Sequence, residues 1–347
     1  MTEHVSALEI MPQMPRSNRM RILITGCAGF VGSHLSDKLR ADGHDIYGID
    51  DLSSGQRNLT AFEVGYSVAL MLPVGLGCGM ATPHFVQHDL SKPWTPSLLE
   101  LVSQMDAVVH AASYPDLRKN WRDPAQRARI FQNGEVATIN LLEAIPEKAP
   151  LIFLSSASVY GESRSEDPVV EADALPATIQ SPYAASKLAC EAYVAAWSHK
   201  TGRPWHVVRL VNVVGPRGHR GVIGDFVKMA RTGHIHAADD GKQHKSWVHA
   251  HDVAEAVARL LKGDVPSGIY NVTSRERISW WRIVEQMGID PDDVTFEPVD
   301  RGAVGDPHDL HASGEKLGPY YRCERSVIEG IQEALKSLDW EPDDSRR

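Results

Sequence analysis

Tyr183 and Lys187 stand four residues apart in Ser181-Pro182-Tyr183-Ala184-Ala185-Ser186-Lys187, at the start of a predicted helix over 182–199. Residues at i and i+4 share one helical face. A free phenol has a pKa near 10, too high for a base at neutral pH. An ammonium one turn away lowers it. The segment Ser155-Ser156-Ala157-Ser158-Val159-Tyr160-Gly161 closes a predicted strand upstream. A hydroxyl at such a strand end faces a ligand crevice. Ser156 is the residue to hold a substrate hydroxyl, with Ser158 second. Together Ser156, Tyr183 and Lys187 can move a proton while an alcohol is oxidised. Ordinary amphipathic helices also carry this Tyr/Lys spacing, so the surrounding elements must decide.

Those elements alternate. The apolar runs at 21–25, 45–49, 84–87, 106–112, 151–155 and 206–211 predict buried strands. Helices are predicted at 33–41, 128–145 and 182–199. Strands alternating with helices imply an α/β fold with a doubly wound parallel sheet. Beyond about residue 212 the pattern loosens, with a helix at 252–261 and a strand at 268–272. The expected division is a loose tail (1–18), a dinucleotide-binding domain (19–212, with 246–275 returning to it) and a smaller C-terminal substrate-binding domain (213–245 and 276–347).

The first strand runs into Gly26-Cys27-Ala28-Gly29-Phe30-Val31-Gly32. Gly26 permits the tight turn, Gly29 admits a pyrophosphate close to the backbone, and Gly32 lets helix and sheet approach. The helix start then offers free N–H groups and positive dipole to phosphate. Asp50 ends the second strand and suits the two ribose hydroxyls of an adenosine. It would repel a 2′-phosphate, and no Arg follows immediately, so the expected cofactor is NAD rather than NADP. Its nicotinium charge would add to that of Lys187 in lowering Tyr183. Asp89 and Leu90, after the third strand, are placed to flank the adenine.

The chain has 347 residues, 42% hydrophobic and 23% charged, and a net charge of −9. That is the make-up of a folded globular protein. Without a basic block, nucleic acid is not an expected partner. Val64–Thr82 is uncharged and nearly long enough to span a bilayer. Pro73 and four glycines interrupt it, so a surface insertion is expected and no membrane contact. Four scattered cysteines give no disulfide framework and no C-x-x-C site, which fits reduced thiols and a cytoplasmic location. Among sixteen histidines, His234 with His236 and His249 with His251 have i, i+2 spacing. No acidic ligand is evident beside them, and no metal is expected.

The segments TGCAGFVGSHL, IDDLSSG, HDL, VVHAASYPDLRKNWRDP, FLSSASVYGE, SPYAASKLACE, VRLVNVVGPRG, DGKQHKSWVHAHDVAEA and GIYNVTS cover about residues 20–275. In this order they resemble the extended short-chain dehydrogenases/reductases of the NAD-dependent epimerase/dehydratase family, the nucleotide-sugar group. A weaker likeness (RGAVGD, EKLG) extends to about residue 320. The resemblance implies a Rossmann fold, tightly bound NAD, a nucleoside-diphosphate sugar as substrate, and a homodimer built through the helices near 128–145 and 182–199. It implies an NAD site lined by Gly26, Gly29, Phe30, Val31, Asp50, Asp51, Leu52, Ser53, Ser54, Asp89, Leu90, Ala111, Ala112, Tyr183 and Lys187. Tyr183 would be the base, Lys187 its electrostatic and ribose partner, and Ser156 the hydroxyl-binding partner. Asn212 would sit near the substrate phosphates, and Arg301 would pair with the diphosphate.

The departures from the family pattern fall mostly on the substrate side. Asn133 is one residue off the usual asparagine register. Val214 replaces an aromatic. Lys245 stands where an arginine usually follows G-x-Q, a point charge instead of a fork. The family's 4,6-dehydratases carry an Asp-Glu pair after the strand-end hydroxyl, and its decarboxylases a Glu at the second place. Ala157 and Ser158 stand there instead. An epimerase passing through a 4-keto sugar is therefore favoured over a dehydratase or reductase, or a silent NAD-binding regulator.

Overall fold

The runs RILIT, AVVH and LIFLSS have no polar face for solvent, which suits strands covered on both sides. A computed structural model of the chain describes residues 19–53, 84–115, 123–163, 166–238, 240–297 and 307–340. The expected tail (1–18), the apolar stretch Val64–Thr82, Ser54 and Arg301 lie outside the described residues. Strands β1 (Arg21–Thr25), β2 (Asp45–Asp50), β3 (Phe85–Gln87), β4 (Ala107–His110), β5 (Leu151–Ser156) and β6 (Trp205–Leu210) all pair in parallel. With β10 (Gly268–Val272) they form a seven-stranded sheet of order β10-β6-β5-β4-β1-β2-β3. The order reverses between β1 and β4, and a crevice opens there at the carboxyl ends of the strands.

Helix α1 (Phe30–Ala41) starts three residues before its expected position. Helix α2 (Pro96–Ser103), capped by Thr95, was not anticipated. The helix expected over 128–145 is three pieces: α3 (Pro124–Phe131), a π turn over Gln132–Val136, and α4 (Ala137–Ala144). Helix α5 (Pro182–Thr201) has a full set of end signals. Ser181 Oγ accepts the Ala184 N–H, Pro182 opens the first turn, and Gly202 closes it at φ 68°. Each is a local device that fixes where a helix begins or stops.

Beyond β6 lie two small sheets. Strands β7 (Asn212–Val214), β9 (His244–His249) and β11 (Arg277–Ser279) form one, in the order β11-β9-β7. Strands β8 (Ile235–Ala238) and β12 (Val294–Glu297) form the other. Helices α6 (Val222–Ala230), α8 (Trp280–Met287) and α9 (Val327–Ser337) pack on them around Phe226, Trp247, Ile283 and Ile331. Helix α7 (Ala250–Leu260) instead lies against α1.

Candidate active site

Gly26 closes β1 at φ 71°, and a Cβ there would lie 2.6 Å from the Ala112 nitrogen. The loops after β1 and β4 are therefore in direct contact. A Cβ on Gly32 would come within 2.0 Å of the Gly26 carbonyl oxygen, so helix α1 can approach only without one. Gly29, the residue before α1, would meet only the Gly26 oxygen, at 3.2 Å. No side chain caps that helix end. An uncapped helix start beside an open glycine is what a pyrophosphate needs. Asp50, 8% exposed, accepts the N–H groups of Ala28 (3.0 Å) and Leu52 (2.8 Å). A carboxylate has about four acceptor positions, so two remain for ribose hydroxyls. These features fit NAD.

The other expected cofactor residues divide. Phe30 and Val31 open α1, with Phe30 edge-on to His34. Ala111 donates its N–H to the Thr25 carbonyl, beside Ala112. Asp51 accepts the Ser53 N–H at 2.9 Å, and Leu52 takes a left-handed φ of 59°. Asp89 Oδ1 is occupied by Ser91, through both its N–H and its hydroxyl. Leu90 is buried in the core and accepts from Asn140 Nδ2. Asp89 and Leu90 thus serve the turn after β3, whatever they add to a nucleotide.

Ser156, Tyr183 and Lys187 converge. Ser156 ends β5 and its Oγ accepts the Ser158 N–H at 3.2 Å. The Ser113 and Ser156 side chains stand beside the Tyr183 phenol and act to lower its pKa. Ser113 was missed by sequence reasoning, although it directly follows Ala111-Ala112. Lys187 is 6% exposed, and its Nζ donates to the Leu154 carbonyl at 2.7 Å.

The protein's own groups do not make the phenol acidic, and the nicotinium charge expected to help lower it comes only with the cofactor. Burial pushes Tyr183 up to about 12, and the two serine hydroxyls only partly offset it. Tyr183 as a whole is half-buried. Lys187 does not supply the expected lowering, because its Nζ is committed to Leu154 and stands 5.9 Å from the centre of the Tyr183 ring. Burial in turn pulls Lys187 down to about 8.

A buried chain of hydrogen bonds runs beneath the crevice. The Ala112 N–H donates to Thr25 Oγ1, which lies 2.7 Å from His110 Nδ1. His110 Nε2 lies 3.1 Å from Thr138 Oγ1, and Thr138 donates to Cys190 Sγ. Since Thr138 gives its proton to sulfur, His110 must donate through Nε2 and accept from Thr25 through Nδ1. Burial pushes His110 down to about 3, which keeps it neutral. The chain links the loop after β4 to α5 one turn beyond Lys187.

On the far side Asn212 opens β7, opposite Trp247 of β9. Lys245, in the same sheet, is 5% exposed with its ammonium 5.9 Å from the Trp280 ring centre. Ser158 is buried and its Oγ has no hydrogen-bond partner. Asn133 turns back to donate to the Arg129 carbonyl.

The histidine pair on β9 and α7 gains an acidic neighbour the sequence did not show. Glu333 Oε2 lies 3.0 Å from His249 Nε2. His249 Nδ1 accepts the His251 N–H, so Nε2 carries the proton and donates to Glu333. Cys27, Cys190 and Cys323 are free thiols among the described residues. No helix among the described residues is long and apolar enough to cross a membrane.

Residues 22–273 match the family described as NAD dependent epimerase/dehydratase. A UDP-glucose 4-epimerase of Mycolicibacterium smegmatis is 28% identical over 336 residues, 93% of this chain and 94% of that protein. A UDP-glucuronic acid decarboxylase of Xenopus tropicalis is 24% identical over 292 residues, 82% of this chain but only 64% of that protein. Among solved structures, the UDP-glucose 4-epimerase of Thermus thermophilus in complex with NAD is 27% identical, with a TM-score of 0.72 over 92% of this chain and 99% of that one.

Proposed function

The chain belongs to the NAD dependent epimerase/dehydratase family, and from there we propose that it is a nucleotide-sugar epimerase working through a transient 4-keto sugar. Gly26, Gly29, Phe30, Val31 and the Asp50–Ser53 turn hold NAD, with Ala111 and Ala112 against its nicotinamide half. When bound, NAD supplies a reversible hydride acceptor and, oxidised, a positive charge that draws the Tyr183 pKa down from about 12. Tyr183 takes the proton from the sugar hydroxyl and later returns it. Ser156 holds that hydroxyl, its own orientation set by the Ser158 N–H. Lys187 steadies the phenolate and the nicotinamide ribose. Asn212 and Lys245 face the substrate phosphates, and we assign residues 213–245 and 276–347 to a substrate-binding half.

One observation carries the choice of reaction. The turn after β5 offers Ala157 and Ser158 where elimination or decarboxylation would want a carboxylate. Glu162, the next carboxylate along the chain, is already taken: its two oxygens accept the N–H groups of His308 and Asp309, each at 2.8 Å. Among the described residues the turn after β5 offers the keto sugar no free carboxylate to assist loss of a group, and that favours epimerisation.

The relatives named above act on UDP-sugars, so UDP-hexoses are the first compounds to test. The NAD-loaded protein is incubated with a panel of nucleotide sugars and the products read by mass spectrometry and NMR. Conversion at one carbon without change of mass is expected. Loss of water or carbon dioxide would replace epimerisation by a lyase reaction. We also propose a homodimer through α3 and α5, whose Phe131 and Tyr193 are 55% and 44% exposed. A monomer by sedimentation would remove that part alone.

A further inference from the structure

Lys245 is a point charge on a long, flexible stem, so its aim depends on how firmly its strand is held. On one side it pairs with Ile278 of β11. At the other edge of β9, β7 reaches only Trp247 to His249. A segment from near the end of the chain takes the place beside Lys245. Residues 308–313 run there as a strap, and Leu310 bridges Lys245 in parallel. Leu310 and Ala312 are buried, while Asp309, His311 and Ser313 are only partly so, the alternation of a half-buried strand.

Both chain neighbours of Lys245 are fastened to this strap. The His244 N–H donates to Asp309 Oδ1 at 2.7 Å, and the His244 carbonyl accepts the Leu310 N–H at 3.2 Å. The Ser246 N–H donates to the Leu310 carbonyl at 2.8 Å, and the Ser246 hydroxyl oxygen accepts the Ala312 N–H at 3.1 Å. Of these four bonds, the first alone uses a side chain of the strap. The strap is also tied to the turn after β5. The Ser163 N–H donates to the Asp309 carbonyl at 3.1 Å, and Glu162 accepts the N–H groups of His308 and Asp309. Asp309 Oδ2 lies 2.7 Å from His308 Nδ1. Asp309 is therefore gripped at its N–H, its carbonyl and both carboxylate oxygens. In one residue it joins the turn that follows Ser156 to the strand that carries Lys245.

We propose that Asp309 is a positioning residue for the substrate diphosphate: through the His244 N–H it sets where the Lys245 ammonium stands relative to Ser156. The inference rests on the reading of Lys245 as a phosphate ligand given above. A flexible stem gains precision only from the scaffold beneath it. With the Asp309 side chain removed, His244 loses its acceptor and the start of β9 can shift at Lys245. The ammonium is then still present but displaced.

The test titrates the full-length, NAD-loaded protein with UDP by calorimetry, which needs no turnover. Lys245→Met should weaken UDP binding by about tenfold, the worth of a contact to a charged group. Asp309→Ala should weaken it by about three- to fivefold, because the ammonium is displaced and not removed. NAD affinity should not change. Asp309→Asn keeps an acceptor for His244 and should bind UDP within about twofold of the parent. In the double variant, Asp309→Ala should add less than about twofold to Lys245→Met, since both act through one ammonium. Full additivity would assign Asp309 to the fold alone and overturn the proposal. So would an Asp309→Ala Kd within about twofold of the parent, or a loss in Asp309→Asn equal to that in Asp309→Ala. If Asp309→Ala does not fold, Asp309→Ser, too short to reach His244, is judged by the same outcomes. A Lys245→Met protein that binds UDP as the parent does, or a parent that binds none, overturns the phosphate reading and this proposal with it. Loss in Lys245→Met without loss in Asp309→Ala overturns this proposal alone.

Discussion

The two halves of the molecule place their functional groups by different means. In the sheet half the backbone does it. Gly26, Ala111, Ala112 and Ser156 sit at or just after strand ends, and parallel pairing brings those strand ends to one edge. In the other half side chains do it, some of them reaching across from the sheet half to grip distant segments. Glu162 holds residues 308 and 309. Asp252, 3% exposed, accepts the Tyr321 hydroxyl (2.6 Å) and the Arg325 N–H (2.9 Å). Glu276 accepts the Val327 N–H. Topology can be inferred from pattern along the chain, whereas grips across 50 to 150 residues cannot.

The largest effect should touch chemistry only. Tyr183→Phe removes the base, and turnover should fall by about 10³ to 10⁴-fold. NAD affinity and unfolding midpoint should stay near those of the parent. A large loss of stability would show that the sheet half also depends on its site side chains. Glu191→Gln leaves Arg209 buried without its charge partner and should cost about 3–5 kcal/mol in urea unfolding. A loss below about 1 kcal/mol would mean that the sheet tolerates this break as solvent-exposed pairs do.

Acid separates the halves more gently. Burial holds His34 and His110 down to about 3, both on elements of the sheet half. The unfolded chain binds protons on these rings near pH 6.5, so between about 6.5 and 3 it holds more protons than the folded one. Their contribution is complete above about 6.5 and is lost as pH falls, by about 1.4 kcal/mol per pH unit for each ring. His34→Asn should flatten that slope, and an unchanged slope would remove His34 from the account. The smallest effect belongs to Asp252→Asn, about 1.5–3 kcal/mol for hydrogen bonds to a charged acceptor. It should open the segment 307–326 to protease while leaving NAD binding intact. Equal loss of NAD would show that the two halves are not separable in this way.

The same contrast explains what was readable in sequence. The parallel sheet, the glycine loop and the Ser156/Tyr183/Lys187 trio followed from local runs and spacing, because each sits where one element hands over to the next. The π turn escaped, since 128–145 has apolar residues at ordinary helical spacing and nothing local marks the extra residue. Ser113 escaped because its role depends on α5 passing above it, some 70 residues later. The desolvation that raises the Tyr183 phenol escaped for a related reason: it comes from neighbours that spacing does not show. Glu333 came to His249 from a helix that only the folded chain brings near.

The hydrogen-bonded chain from Ala112 to Cys190 has every proton pointing one way. Its consequence is entropic. The hydroxyl rotors of Thr25 and Thr138 and the tautomer of His110 are settled when the protein folds, so a ligand docking in the crevice above need freeze none of them.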